Sequence, residues 1–376
     1  MIRTIVGLCA RDAGSESVYG RLRFLMAEFE RAKLSWTELL LVAEEQGMAS
    51  LLHKHLAAAE CSIPIHARRH LHSLFLRTKQ ANLIRNRALI EILEACQAAS
   101  IDMLLIKGIA LANLVYSDPA LRPMRDIDLL VRVEDATRAE NVLFSLGYVH
   151  EEREDIPNDY YHLRPLVRMI DGLSINIELH RGLFPSHPDY PNWSFDQLKE
   201  RARQMAVGAV NAQTLCLEDM LQHVYLHGFR APLTYEPFRY IHVADLVTIV
   251  ERHHDAIQWS QLSREVPRLM AALAALHVVT PWKAGVLPKI GGDVSKISKL
   301  AATPYQGWPL RRLSEVPLWH YPWLASATLW PSRWWVLVYY GQAWGGMYWW
   351  TRFFEHPRAL WRWMKSYCWH RPHAKR

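Results

Sequence analysis

Between residues 101 and 180 the hydrophobic period changes again and again, and this limits the fold more than any other feature of the chain. Met103-Leu104-Leu105-Ile106 is a short apolar run stopped by Lys107-Gly108, the pattern of a buried strand. Helical spacing follows over 109–116 and ends at the turn-prone Ser117-Asp118-Pro119. The pattern then predicts a strand over 127–133 and a helix over 134–146 closed by Gly147. Two further strands are expected over 163–170 and 174–180, joined by Asp171-Gly172, a strong hairpin turn pair. Strands and helices mixed at this density make a small α/β unit.

The flanks are helical by the same test. Residues 20–95 repeat apolar positions at helical spacing, and 67–100 contains no breaker, so one long helix or two are expected there. From 196 onward the pattern is again helical, over 217–229, 238–253 and 262–277, before a Gly- and Pro-rich loop at 281–292. The expected division is a helical region at 1–96, an α/β core at 97–195, a helical domain at 196–300 and a Trp-rich helical region at 301–376. Half of the 376 residues are apolar, enough for a sizeable core and against overall disorder.

The most informative segment for chemistry is Arg122-Pro123-Met124-Arg125-Asp126-Ile127-Asp128-Leu129. On a strand, residues two apart share a face, so Asp126 and Asp128 project together while Ile127 and Leu129 face a core. Adjacent carboxylates repel unless a cation sits before them, and hard oxygen donors suit Mg²⁺, or Mn²⁺ in its place. A pair of solvated carboxylates at a strand end is the simpler alternative. Lys107, Arg122 and Arg125 add positive charge around the pair, and Gly108 permits a close approach of backbone to phosphate. In Ser174-Ile175-Asn176-Ile177-Glu178-Leu179-His180, Glu178 and His180 share the face opposite Ile175, Ile177 and Leu179. Glu178 is placed to be a third carboxylate, as metal ligand or base, or else a solvent-facing strand residue.

The absence of GxxxxGK[ST], GxGxxG and GxSxG patterns argues against P-loop, Rossmann and α/β-hydrolase chemistry. His223 and His227 are one helical turn apart but have no HExxH context, so packing or substrate contact is expected of them rather than zinc. Asp245, inside an apolar helix, either pairs with a cation of the catalytic unit or faces solvent.

The segment LLIKGIALANLVYSDPALRPMRDIDLLV resembles the uncharacterised nucleotidyltransferase family within the DNA polymerase beta superfamily. IELH is similar to that family's third-carboxylate strand, and LCLEDMLQHVYLHGF with FRYIHVADLVTIV to its helical segment. The resemblance implies a small mixed-sheet core with large helical N- and C-terminal additions. It also implies Mg²⁺-dependent transfer of a nucleotidyl group from a nucleoside triphosphate such as ATP. Carried over by residue, Asp126, Asp128 and Glu178 are metal ligands and catalytic carboxylates, and Lys107 and Gly108 contact phosphate, with Arg122, Arg125 and His180 beside them. Many members of the wider superfamily have Gly-Ser where this chain has Lys107-Gly108, which leaves nucleotide choice open. The acceptor stays open as well, between a small molecule, a peptide or protein, and a saccharide intermediate.

A formal charge of +7 and a pI near 9.1 favour anionic partners such as nucleotides, phosphates or acidic lipid surfaces. Read as spread along the chain, this charge is equally ordinary solvation. No basic-aromatic strand-binding module is evident, which argues against nucleic acid as a partner. Five scattered cysteines suit a reducing cytoplasm, and Arg11, Asp12 and Glu16 come too early for an export signal. The tail is the exception to this plain picture. Residues 334–351 carry no charge, yet they are interrupted by glycines and rich in Trp and Tyr. The aromatics of 330–370 are expected mainly to fill a helical core, with peripheral membrane or protein contact as the alternative. Two further alternatives to catalysis are a nucleotide-sensing protein of the same fold and a membrane-peripheral interaction protein.

Overall fold

The computed structural model describes residues 1–151, 160–229, 238–291, 293–300 and 318–369. The chain forms two compact units. One comprises Ala49–Lys54 and Ser62–His223 and holds the sheet; the other comprises Met1–Met48, His55–Cys61 and Val224–Arg376 and is helical where described.

The sheet has seven strands: β1 (Met103–Ile106), β2 (Asp126–Val131), β3 (Val149–His150), β4 (Leu166–Ile170), β5 (Leu173–His180), β6 (Arg203–Val207) and β7 (Val210–Thr214). Their order is β3-β4-β5-β2-β1-β7-β6. β2 runs parallel to β5 and β1 parallel to β7, and the other neighbours are antiparallel. The mixed sheet expected for the middle of the chain is therefore present. Ile127, Leu129, Ile175, Ile177 and Leu179 all point to one face and are buried there. Against that face pack Ile84, Leu89 and Ile92 of a single 34-residue helix, Ile65–Ala98, together with Leu143 of the helix Ala136–Ser145. Asp171 and Gly172 both adopt left-handed backbone at φ 49° and 76°, as a two-residue hairpin between Ile170 and Leu173 requires.

Two expectations need correction. The stretch after residue 196 is not purely helical: the short helix Phe195–Glu200 leads into the β6–β7 hairpin. Its turn places Gly208 at φ 59° between Val207 and Val210. Met205 and Val207 alternate inward on one strand, Ala212 and Thr214 on the other, but Ala and Gln in the sequence mask the strand signal. The helix expected over 262–277 is split into Trp259–Glu265 and Pro267–Leu276. Proline disfavours helical backbone in the residue before it, and Val266 sits at φ −133°, ψ 59°.

In the helical unit, Arg11 is wholly buried, with Nη1 3.0 Å from Glu251 Oε1 and Nε 3.0 Å from Thr280 Oγ1. The C-terminal aromatics divide. Trp334, Trp335 and Trp363 are buried as expected of a core, and the Trp334 indole donates to the Ala275 carbonyl at 3.2 Å. Trp319, Trp323, Trp330, Trp349, Trp350 and Trp361 are exposed. No described helix is long and apolar enough to cross a membrane.

Candidate active site

Three neighbouring strands of the sheet converge on one polar spot. The register sets Asp128 on β2 directly beside Glu178 on β5 and opposite Ile106 at the end of β1, with Lys107 next in the chain. Asp126 stands beside Asn176, and Leu130 beside His180. Alternation along β2 and β5 thus delivers Asp126, Asp128, Glu178 and His180 to the face opposite the apolar core.

The contacts are close. Lys107 Nζ donates to Asp128 Oδ1 at 2.6 Å and lies 3.7 Å from Glu178 Oε2. His180 Nε2 is 2.9 Å from the same Asp128 oxygen and 3.4 Å from Glu178 Oε2. Asp128 and His180 are buried, and Lys107 and Glu178 are partly so. His180 Nδ1 is buried with no hydrogen-bond partner among the described residues.

Lys107 reaches this position through unusual backbone. Its φ is 54°, the left-handed region, which costs an L-residue about 1 kcal/mol or more. Lys33, Glu60 and Ser100 share that conformation but lie just past helix ends, and Asp171 lies in a hairpin. Lys107 instead sits where β1 passes directly into the helix Lys107–Leu114. Strain at such a junction is held by its surroundings, here the two carboxylates that grip the ammonium.

The electrostatics are uneven. Burial, and then the charges of Asp128 and Glu178, push the Asp126 carboxyl up to about 6. Burial also works against the charged form of Asp128, but the Lys107 ammonium and the His180 ring outweigh it and hold that carboxyl well below the usual range. Glu178 goes the same way: burial is outweighed by its bond from His180 and by Lys107. Three carboxyl groups thus share the Lys107 ammonium and the His180 imidazole, and Asp126 also feels the Arg85 guanidinium. The donor set fits a divalent cation: Asp128, Glu178 and His180 present ligand atoms within 4.8 Å of one another, and Asp126 adds a further carboxyl beside them.

The remaining predicted residues fall around this centre in different ways. A Cβ on Gly108 would come 3.2 Å from Met124 Cβ and 3.5 Å from Arg122 Nη1, so the turn is closed tightly over it. Arg122 is buried and donates to the Pro123 carbonyl at 2.6 Å. Arg125 is exposed, and its carbonyl accepts from Arg85 at 3.5 Å. Asp126 is not one of the three residues whose ligand atoms cluster, although its carboxyl feels both acids of that cluster. Asp245 is buried rather than solvent-facing.

Two residues join the site beyond those carried over from the family resemblance: Arg85, which sequence reasoning did not single out, and His223, for which packing or substrate contact is expected. Arg85 is buried within the helix Ile65–Ala98, and its guanidinium interacts with the Asp126 charge. Nothing in an unbroken helical pattern distinguishes it from a surface arginine. His223 is buried edge-on to Phe184, with ring centroids 5.3 Å apart. Burial, then the nearby Lys107 and His180, push its imidazole down to about 3, so it is neutral across the physiological range.

A mixed sheet that aims paired carboxylates from adjacent parallel strands, with a Lys-Gly strand-to-helix junction beside them, is the architecture of a nucleotidyltransferase. The chain belongs to the uncharacterised nucleotidyltransferase family, which it matches over residues 32–280. No curated protein matches it. Among solved structures it is similar to ANT(2")-Ia in complex with adenylyl-2"-tobramycin, at 16% identity and TM-score 0.32, covering 50% of this chain and 95% of that one. The solution structure of the antibiotic-resistance factor ANT(2'')-Ia gives 15% identity and TM-score 0.30 over the same shares. An antigenic nucleotidyltransferase-like protein from Paracoccidioides brasiliensis gives 13% and 0.29, covering 54% of this chain and 97% of that one. These scores define neither a donor nor an acceptor for this protein.

Proposed function

We propose that the protein moves a nucleotidyl group from a nucleoside triphosphate to an acceptor hydroxyl or phosphate, with pyrophosphate leaving. The observation that carries this reading is the grouping of Asp126, Asp128 and Glu178 on one sheet face, where Lys107 and His180 compensate them incompletely. Asp126, Asp128 and Glu178 would hold Mg²⁺ or Mn²⁺, and the nitrogen of His180 is a donor that Mn²⁺ accepts more readily. The bound cation supplies charge neutralisation at the triphosphate and a lower pKa for the attacking hydroxyl.

The chain's own residues do the rest. An acceptor oxygen forms a bond to the α-phosphorus as the bond to the pyrophosphate oxygen breaks, and the acceptor proton passes to Glu178. Lys107 and Arg122 meet phosphate charge, Gly108 leaves room for backbone against it, and Arg125 adds positive charge from the exposed side. His180 keeps Asp128 ionised and oriented. The acceptor would be a small molecule, a peptide or protein, or a saccharide intermediate, and ATP is the first donor to test. The reaction would take place in the cytoplasm, as the five scattered cysteines suggest, with membrane association as an addition.

The test is incubation with Mg²⁺ or Mn²⁺ and each labelled nucleoside triphosphate, with and without cell extract, beside an Asp126→Asn, Asp128→Asn double variant. Label transfer or pyrophosphate release that needs the native carboxylates establishes the reaction. Metal-dependent nucleotide binding with no transfer, even with extract, makes the protein a nucleotide sensor instead.

A further inference from the structure

Nucleotidyl transfer gives no role to the exposed aromatics of the C-terminal region. Gly345–Trp350, the π-helical Thr351–Glu355 and His356–Trp369 follow one another with helical dihedrals at both junctions, Thr351 at −57°, −43° and His356 at −63°, −49°. Together they make a helix of roughly 37 Å at 1.5 Å per residue. One side is anchored. Tyr348, Arg352, His356, Leu360 and Trp363 are buried, Arg352 donates to the Pro331 carbonyl at 2.7 Å, and His356 bonds to the Thr328 carbonyl and the Tyr340 hydroxyl at 2.6 and 2.8 Å.

A helix packed on one side is ordinarily polar on the other. Here the outward stripe is Met347, Trp350, Phe354, Trp361 and Met364, each 49–60% exposed. Trp349 and Phe353 lie beside it, stacked at 6.0 Å, and are also exposed. Exposed halves of five aromatics expose on the order of 500 Å², already as large as the largest apolar patch of a typical monomer. Arg358 and Lys365 sit on the same outward face, and the Lys365 ammonium lies 5.5 Å from the centre of the Trp361 ring.

The segment that carries this stripe is strongly basic in sequence. Residues 318–376 contain eight Lys or Arg against the single acid Glu355, and the preceding 317 residues contain 36 Lys or Arg against 36 Asp or Glu. The whole formal charge of +7 therefore belongs to the C-terminal segment, and the reading of it as spread along the chain is corrected. A second copy on this face would set two such charged surfaces against each other. Tryptophan and tyrosine favour the headgroup layer, and basic side chains are attracted to anionic lipid.

We propose that the outward face of residues 345–365 docks on an anionic membrane surface, lying in the headgroup layer without crossing it. Trp350, Phe354 and Trp361 enter the boundary with the acyl chains, while Arg358 and Lys365 meet lipid phosphates. The nucleotidyl transfer proposed above would then be carried out by a membrane-bound protein.

The experiment is flotation of the full chain with vesicles of phosphatidylcholine alone and of phosphatidylcholine mixed with phosphatidylglycerol, at low and high salt. Partition is expected to be on the order of tenfold stronger into the anionic vesicles and to fall with salt. W350S/W361S and R358E/K365E should each reduce it on the order of tenfold. All four side chains are exposed, and an unchanged melting temperature and gel-filtration volume confirm that each variant is folded. Blue-shifted tryptophan emission with anionic vesicles, quenched by brominated acyl chains in the parent but weakly in W350S/W361S, places the stripe in the boundary layer. Absence of flotation, equal flotation with both vesicle types, or self-association that W350S/W361S abolishes would overturn the proposal. None of these outcomes depends on Asp126 or Asp128, so the membrane reading and the catalytic reading fail separately.

Discussion

Lys107 Nζ and Asp128 Oδ1 lie 2.6 Å apart, one at the close of β1 and the other on β2, the adjacent antiparallel strand. Asp128 is buried and the Lys107 side chain is only 17% exposed, so the pair is not a surface ion pair whose strength water would screen away. Lys107 thereby supplies in this structure the positive charge that the carboxylates require.

Removing that cation should destabilise the protein. Lys107→Met leaves Asp128 and Glu178 with His180 alone, and breaking a buried pair costs about 3 kcal/mol. Lys107→Gly loses the same ammonium but relieves the left-handed backbone, so it should be less destabilised by about 1 kcal/mol. Urea unfolding in the presence of a chelator measures both. Added Mn²⁺ should restore a larger share of the stability in either variant than it adds to the parent protein.

Asp126 should show a cost of function in stability. Its folded value of about 6 exceeds the ordinary 3.8, so between those pH values the folded protein binds more protons than the unfolded chain. Stability therefore falls as pH rises through that window, and the charged carboxylate is a liability above it. Asp126→Asn is expected to stabilise the metal-free protein at pH 7.5 by about 2 kcal/mol, after allowance for partial exposure, with the gain disappearing below pH ~4. The variant should also lose most metal-induced stabilisation. A thermal unfolding series across pH, with and without Mn²⁺, tests both halves.

His223 acts in the opposite direction. Its folded value of about 3 lies below the ordinary 6.5, so the unfolded chain takes up the proton first as pH falls. The neutral ring's contribution is present above pH 6.5 and is lost on acidification, by roughly 2 kcal/mol between pH 6.5 and 5. His223→Gln should flatten the stability profile over that interval, whatever its effect at pH 7. Equal slopes for parent and variant would mean that the ring is accessible to protons.

Gly108 tests the closeness of the turn. A methyl group there meets Met124 Cβ at 3.2 Å, tight enough to move the segment before Asp126 by a few tenths of an ångström. Gly108→Ala gains helix propensity at the same time, so net stability should change by less than about 1 kcal/mol. Transfer activity is expected to fall about tenfold, because small displacements of positioned groups are costly in rate. The comparison needed is kcat/KM against melting temperature.

Much of this protein can be read from its sequence because the signals are local. Asp126-Ile127-Asp128 and Ile175-Asn176-Ile177-Glu178 alternate with a period of two, and that period alone assigns carboxylates to one face and aliphatic side chains to the other. Asp171-Gly172 specifies its hairpin because few residue pairs accept left-handed backbone twice in succession. The unbroken stretch before Ser100 carries its long helix for the same kind of reason.

What depended on distance along the chain was decided only by tertiary structure. Which strands are neighbours, and in which register, brings Asp128 beside Glu178 across a separation that no sequence period measures. Arg85 reaches Asp126 from a helix where it resembles any other arginine, and β7 becomes a strand by pairing with β6 on one side and β1 on the other, against weak intrinsic propensity. Lys107 was legible as a cation near phosphate, but its grip on Asp128 follows from a backbone conformation that lysine alone would not choose. The composition likewise displays the tryptophans without sorting them. Packing decides that Trp334 is core and Trp361 surface, because burial is a property of what surrounds a side chain and not of the side chain itself.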